Sequence, residues 1–185
     1  MRRTRFQDWP CSVARTVDLL GDWWTPLVLR EAFYGVRRFD DFQQGLGVAR
    51  NILTERLTRL CDEGLLRKEP YSDAPLRHEY RLTDKGRAFF DVILVMMRWG
   101  DDWLSGDAGA PIELVDRATG RLVEPVVVDR HTMAPIDPRA VVARPGPGFP
   151  RRRLTEPAMM GRFGAPAAQG TPASRGSKQS TRSTR

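Results

Sequence analysis

Gly47–Gly86 reads GVARNILTERLTRLCDEGLLRKEPYSDAPLRHEYRLTDKG. Within it Ile52, Leu53, Leu57, Leu60 and Cys61 fall on one stripe at the 3.6-residue helical period. The opposite face carries Arg50, Asn51, Thr54, Glu55, Thr58 and Arg59, which predicts an amphipathic helix stopped by Gly64. Leu65–Tyr71 and His78–Leu82 are too short for helices and flank Ser72–Arg77, a loop by composition. Thr83 then stands as an N-cap, with Asp84 in the first turn of a further helix. Upstream, Phe39, Phe42 and Leu46 lie at i, i+3 and i+7, Asp40 and Asp41 suit a helix N-terminus, and Gly45 and Gly47 frame a tight turn. Two short helices joined by a glycine turn and followed by a hairpin make a winged helix-turn-helix. Such a module lays its second helix in the DNA major groove.

Outward from this module, residues 12–20 predict a first short helix. Thr25-Pro26 reads as an N-cap followed by proline at the first helical position, and Leu27–Tyr34 as the second helix. A single longer helix is expected over about Asp84–Leu104, roughly 30 Å at 1.5 Å per residue. Its segment Phe89–Met97, FFDVILVMM, is apolar except for Asp91. A helix apolar on nearly all sides must be covered on nearly all sides. One solution is a helix sunk in its own core. The favoured one is a homodimer interface through Phe89, Ile93, Met96, Met97 and Trp103, with the first helix contributing. Trp23 and Trp24, between the first two helices, suit a core role or the wall of a small-molecule pocket between the second and long helices.

The fold class is therefore mainly α with a β-hairpin wing, carrying a small β-rich C-terminal appendix and a disordered tail. Residues 1–10 form an N-terminal arm and 11–106 the DNA-binding and dimerisation domain. In the 111–144 extension, β-rich runs at Pro111–Asp116 and Leu122–Asp129 flank a Thr119-Gly120 turn, with a short strand expected near Val141-Val142. This extension is compatible with sheltering the long helix, lining an effector pocket or extending the dimer. From 145 to 185 Gly, Pro, Ala, Ser and Arg dominate, the composition of a chain that cannot bury a core.

The net charge of +7 is misleading about where DNA would bind. Residues 1–149 hold 22 basic and 22 acidic side chains, whereas 150–185 hold eight basic and one acidic. The tail supplies the whole excess. The winged module must then work through a few placed arginines and not a global basic field. At the exposed N-terminal half of the predicted recognition helix, Arg50 can read guanine and Asn51 adenine through paired hydrogen bonds, with Thr54 beside them. Arg56 and Arg59 are further DNA-binding candidates, with pairing to Glu55 or Glu63 as the alternative. Arg38 opens the preceding helix within reach of a phosphate, and Arg77 sits at the wing tip beside Pro75.

Composition excludes other classes. No apolar run approaches the roughly 20 residues of a membrane span, and the N-terminus lacks the apolar region of a signal peptide. Two cysteines and two histidines (His78 and His131) make no zinc site or disulfide framework, so neither metal nor cofactor is expected. No phosphate loop, catalytic carboxylate pair or nucleophile elbow is present, which argues against an enzyme. A cytoplasmic, nucleoid-associated protein is the expectation.

Four blocks together resemble a known family. They are Leu20-Gly21-Asp22-Trp23-Trp24, then Leu29-Arg30-Glu31 with Gly35 and Arg37-Arg38-Phe39, then Leu53-Thr54-Glu55-Arg56-Leu57 with Gly64-Leu65-Leu66, and finally Tyr71, Pro75, Arg77, Glu79-Tyr80, Leu82-Thr83 and Gly86. In order and spacing they are similar to the HxlR-type winged-helix regulators, relatives of the MarR group, from about Cys11 to Leu104. The resemblance implies a dimeric transcriptional regulator on double-stranded DNA with a pseudo-palindromic operator. A repressor answering to a small-molecule effector or a redox signal fits it best. Ala49 stands where the family usually has a helix-capping serine, and Ser12 where proline is common. Cys11 matches a position where several members carry a redox-sensing cysteine, and is the candidate sensor; helix N-termini favour thiolates. Cys61, on the apolar stripe, reads as a buried hydrophobe. The competing reading is a winged helix used only for protein–protein contacts, which the electroneutral body keeps open.

Overall fold

A computed structural model describes residues 5–150 and 153. The disordered-tail expectation for 145–185 therefore lies almost wholly outside the described residues. The chain divides into two compact units, Met1–Val127 and Val128–Arg185.

The first unit contains α1 (Ser12–Leu20), α2 (Trp24–Phe33), α3 (Phe39–Leu46), α4 (Arg50–Asp62), β1 (Leu66–Asp73), β2 (Leu76–Leu82), α5 (Asp84–Ala88) and α6 (Phe90–Leu104). This is a winged helix-turn-helix. Val28, Leu29 and Ala32 of α2, Phe42 of α3, Leu53, Leu57 and Leu60 of α4, Leu65, Leu66 and Ile93 close one core. Each large apolar side chain taken from water contributes roughly 1.5–3 kcal/mol, so α4 is held chiefly by its leucine stripe. The turn between α3 and α4 depends on Gly47, whose left-handed backbone (φ 62°) lets its N–H donate to the Gln43 carbonyl at 3.0 Å. Gly45, expected to frame that turn, lies inside α3 instead.

Ala49 is the N-cap of α4 and, having no side-chain acceptor, leaves the first amides uncapped. Ala49→Ser should stabilise the fold by about 1 kcal/mol. A melting temperature that stays flat or falls would show that this helix start is satisfied otherwise.

Three expectations need correction. First, α2 begins at Trp24 and not near Leu27, because its cap is Asp22: Oδ1 accepts from the Trp24 and Thr25 amides at 2.9 and 3.1 Å. Pro26 then falls within the first turn, where its missing N–H costs nothing. Second, the wing strands run on through the expected six-residue loop, leaving only Ala74-Pro75 between them. Leu66 pairs with Leu82 at the base and Asp73 with Leu76 at the tip, with a register shift that bulges Tyr71. Arg37 and Arg38 add a short third edge, since the Tyr80 amide donates to the Arg37 carbonyl at 2.8 Å and Arg38 bridges Glu79. Third, the long helix is broken at Phe89, whose amide makes a tight i→i−3 bond to the Gly86 carbonyl at 3.0 Å. The break lets α5 lie flat on the wing base while α6 turns along α2, where Phe33 and Phe90 meet edge to face at 5.1 Å.

Within 111–127 the β structure is one bridge, Val115–Leu122, closing a turn in which the Asp116 carboxylate accepts from Thr119 and Ala118. Those hydrogen bonds, the Thr119 hydroxyl's first, hold the Asp116 carboxyl below its ordinary range. The second unit has its own bridge, Val128–Pro135. Val141 and Val142 lie in no strand.

Candidate nucleic-acid interface

The exposed face of α4 presents Arg50, Asn51 and Thr54. Leu53 and Leu57 point the other way into the core, so the apolar stripe fixes which side of the helix faces water. Arg50 is oriented by its neighbours: its guanidinium stacks over Phe39 at 4.7 Å from the ring centroid and reaches Asp40 at 3.9 Å. Both partners belong to the first turn of α3. The Asp40 contact is exposed and weak, and a phosphate or guanine edge would displace it readily. The Thr54 hydroxyl donates to the Arg50 carbonyl at 2.8 Å and keeps its lone pairs outward.

Arg38, at the N-cap of α3, lies over the bulged Tyr71 ring at 4.8 Å. Tyr71 precedes Ser72, the register partner of Arg77. The start of α3 and the wing tip are thus neighbours, and both arginines are exposed. Farther down the wing Arg67 and Arg81 are occupied differently. Arg67 pairs with Glu69 at 2.6 Å, and Arg81 with Glu69 and Glu79 at 3.0 and 2.6 Å. That ladder offsets the like charges placed opposite each other by the register and leaves Arg77 as the outward cation near the tip.

The chain that carries these features is similar to known proteins. Residues 19–108 match the family described as HxlR-like helix-turn-helix. The uncharacterized HTH-type transcriptional regulator Rv3095 of Mycobacterium tuberculosis is 46% identical over 138 residues, 75% of this chain and 87% of that one. The chain belongs to the HxlR-like family. A further relative, the HTH-type regulator sll1512 of Synechocystis, is 38% identical over 99 residues, 53% of this chain and 73% of its own. Among solved structures, the transcription-factor candidate PA1607 superposes with a TM-score of 0.69 at 35% identity, covering 75% of this chain and 97% of that one. PA1374 from Pseudomonas aeruginosa gives 0.56 at 34% identity, with 77% and 97% covered. The relatives are named as HTH-type transcriptional regulators, and this chain is a transcriptional regulator of that type.

Two of the arginines read as DNA ligands face inward in this HxlR-like chain. Arg56 is only 12% exposed and forms an ion pair with Asp22, with Glu55 as a second partner at 2.9 Å. Arg59 donates to the Asp18 main-chain carbonyl at the end of α1. A helical wheel shows both as polar residues beside the leucine stripe, and without the α1–α2 corner in place they look exposed. Asp22 was the residue missed: an acidic side chain two and three positions ahead of the first free helix amides is the available signal for a cap.

The proposed interface residues also divide. Ile93, 8% exposed, belongs to the core, and Phe89 packs against it. Ile93 is thereby taken up within the single chain and is not free for a subunit contact, whereas Phe89 is only partly buried. Met96 and Trp103 stay exposed, together with Val92, Val95 and Trp99. At i, i+3, i+4, i+7 and i+11 these five make one apolar stripe on α6. Val13 and Val17 make a second on α1. Trp23 is 86% exposed, whereas Trp24 packs against the core.

Between α2 and α6 lies a groove of about 700 Å³, walled by Leu27, Arg30, Tyr34, Met96 and Leu104. Neither tryptophan lines it. Cys11 caps α1, its exposed sulfur accepting from the Ala14 amide at 3.5 Å. Cys61 is half-buried, and burial first, then the Asp62 charge, pushes its thiol up against a smaller opposing effect of Lys68. No cluster of candidate metal ligands occurs among the described residues, and no described helix is long and apolar enough to cross a membrane.

Proposed function

We propose that the chain is a dimeric, sequence-specific DNA-binding repressor that recognises a pseudo-palindromic operator and answers to a small-molecule or redox signal. The observation that carries the DNA-reading role is the outward face of Arg50, Asn51 and Thr54 at the N-terminal half of α4, with the exposed Arg38 on α3 and Arg77 near the wing tip as further cations. Arg50 and Asn51 read base edges. Arg38 and Arg77 fix register on phosphates or in the minor groove. The apolar stripes of α6 and α1 support dimerisation, since five large apolar side chains on one helix face are otherwise left in water. A dimer carries two reading helices for two half-sites.

Mobility shifts on fragments enriched from genomic DNA test this. Arg50→Ala should weaken binding at the selected site by about 1–3 kcal/mol and relax one base preference. Arg77→Ala should weaken binding to every duplex and lower the salt slope by about 1. An Arg50→Ala protein with unchanged affinity and site profile would refute the reading, and a parent chain that enriches no fragment would favour the protein-contact alternative.

For the signal, the α2–α6 groove has the size of ligand sites, which run to several hundred Å³, and Cys11 is open to oxidants at the head of α1. Diamide should lower operator affinity in the parent but not in Cys11→Ser. Equal behaviour of the two proteins would remove the redox branch.

A further inference from the structure

A reading helix must be fixed in rotation and height to within about half an ångström to select bases. The leucine stripe of α4 fixes which face looks inward, and polar ties with defined geometry add to it. Two polar ties act on that helix from one place. Arg56, nearly buried, pairs with the Asp22 carboxylate through Oδ2. Arg59, one turn on, donates to the Asp18 carbonyl, one of the acceptors that the end of α1 leaves unsatisfied. Asp22 has a second task. Its Oδ1 accepts from the Trp24 and Thr25 amides at 2.9 and 3.1 Å and from the Thr25 hydroxyl at 3.3 Å, with Thr25 fully buried beneath it. One carboxylate therefore ends the α1–α2 corner, starts α2 and holds α4.

We infer that Asp22 and Arg56 are positioning residues for DNA reading, through which the α1–α2 corner sets the pose of α4. Neither meets DNA. They act through Arg50, Asn51 and Thr54, whose place in the groove follows the helix. The corner is continuous with α1, which begins at Cys11 and carries the exposed Val13 and Val17. The end of α1 is tied to α4 by the Arg59 bond to the Asp18 carbonyl, and the corner that follows it by the Asp22–Arg56 pair. The inference rests on α4 being the reading helix.

The test uses the full chain and four variants. Asp22→Asn keeps an acceptor for the α2 amides, since asparagine caps as well as aspartate, but removes the charge that Arg56 meets. Arg56→Gln removes the other partner, Arg56→Lys retains a cation, and Arg50→Ala is the control for direct reading. Melting temperature and affinities for the selected operator and a random duplex are measured well below each melting point. Asp22→Asn and Arg56→Gln should each lose about tenfold or more at the operator, the double variant should lose no more than either, and random-duplex affinity should hold within about twofold. Arg56→Lys should recover part of the loss. Should Arg56→Gln fail to fold, Asp22→Asn and Arg56→Lys decide the matter on the same criteria. A lower melting temperature with operator affinity intact would reduce the pair to a structural role and overturn the inference. So would equal losses on operator and random DNA. If the parent and Arg50→Ala bind operator and random DNA alike, the reading of α4 itself fails and the inference falls with it.

Discussion

Gly86→Ala is expected to lower the melting temperature by more than about 10 °C, through a loss of at least about 3 kcal/mol. A Cβ on Gly86 would stand 2.1 Å from the Leu65 carbonyl oxygen and 3.1 Å from a Leu82 methyl. The Leu65 oxygen belongs to the main chain and cannot step aside as a side-chain end could. Leu65 is buried, its amide bonded to the Leu60 carbonyl at 2.9 Å and its own carbonyl to the Thr83 amide at 3.0 Å. Thr83 binds the Gly64 carbonyl at 2.6 Å through its hydroxyl and accepts from the Gly86 amide at 3.0 Å. The end of α4, the wing base and the start of α5 therefore share this junction, and a methyl group there pushes the reading helix and the wing apart. Gly100 supplies the contrast: it also lies within a helix, yet a Cβ there meets nothing within 4 Å. Gly100→Ala should stabilise by up to about 1 kcal/mol. Thermal unfolding of the two variants checks both signs, and a Gly86→Ala protein as stable as the parent would mean that the α5 contact with Leu65 is not as tight as described.

Met96→Glu should turn the protein into a monomer and lower affinity for a two-half-site operator by about 100-fold or more, because each module then binds without the other. Met96 stands in the middle of the exposed α6 stripe, between Val92 and Val95 on one side and Trp99 and Trp103 on the other. A carboxylate placed in an apolar subunit interface must be desolvated, which costs several kcal/mol. The side chain is half exposed in the single chain, so the fold itself should survive and binding to an isolated half-site should change little. Sedimentation and shift assays on full and half operators read both effects. A dimer persisting at micromolar concentration would place the subunit contact elsewhere. Ile93→Glu would not make the same test: Ile93 lies in the core, and its substitution would unfold the chain.

How much of this was legible beforehand differs from element to element. The boundaries of α1 and α4, and the stop of α3 at Gly47, are written in local spacing, because a 3.6-residue stripe and a glycine stop act over one or two turns; Gly45 gave no such signal, since it lies within α3. The wing was legible as two strands but not in its length. Ser72-Asp73 and Leu76-Arg77 have the composition of a loop, and the ladder extends through them because the opposite strand supplies partners. The break at Phe89 was hidden because Asp84–Leu104 has no proline or glycine pair to announce it; it is seen only in the i→i−3 bond from the Phe89 amide to the Gly86 carbonyl. For the site, Arg50, Asn51 and Thr54 face outward by helical phase alone. Arg56 and Arg59 border the same phase, and what lies over them comes from residues far earlier in the chain.

The sequence by itself determined the module, its family and the outward triad on α4, since periodicity, caps and motif order are properties of neighbouring residues. Tertiary structure decided which cations are free to meet DNA, which apolar residues on α6 face the core, and what fixes α4 in place. Those depend on which surfaces meet across the fold. Asp22 against Arg56 and Leu65 against Gly86 are pairings that packing of the folded chain creates and no local spacing specifies.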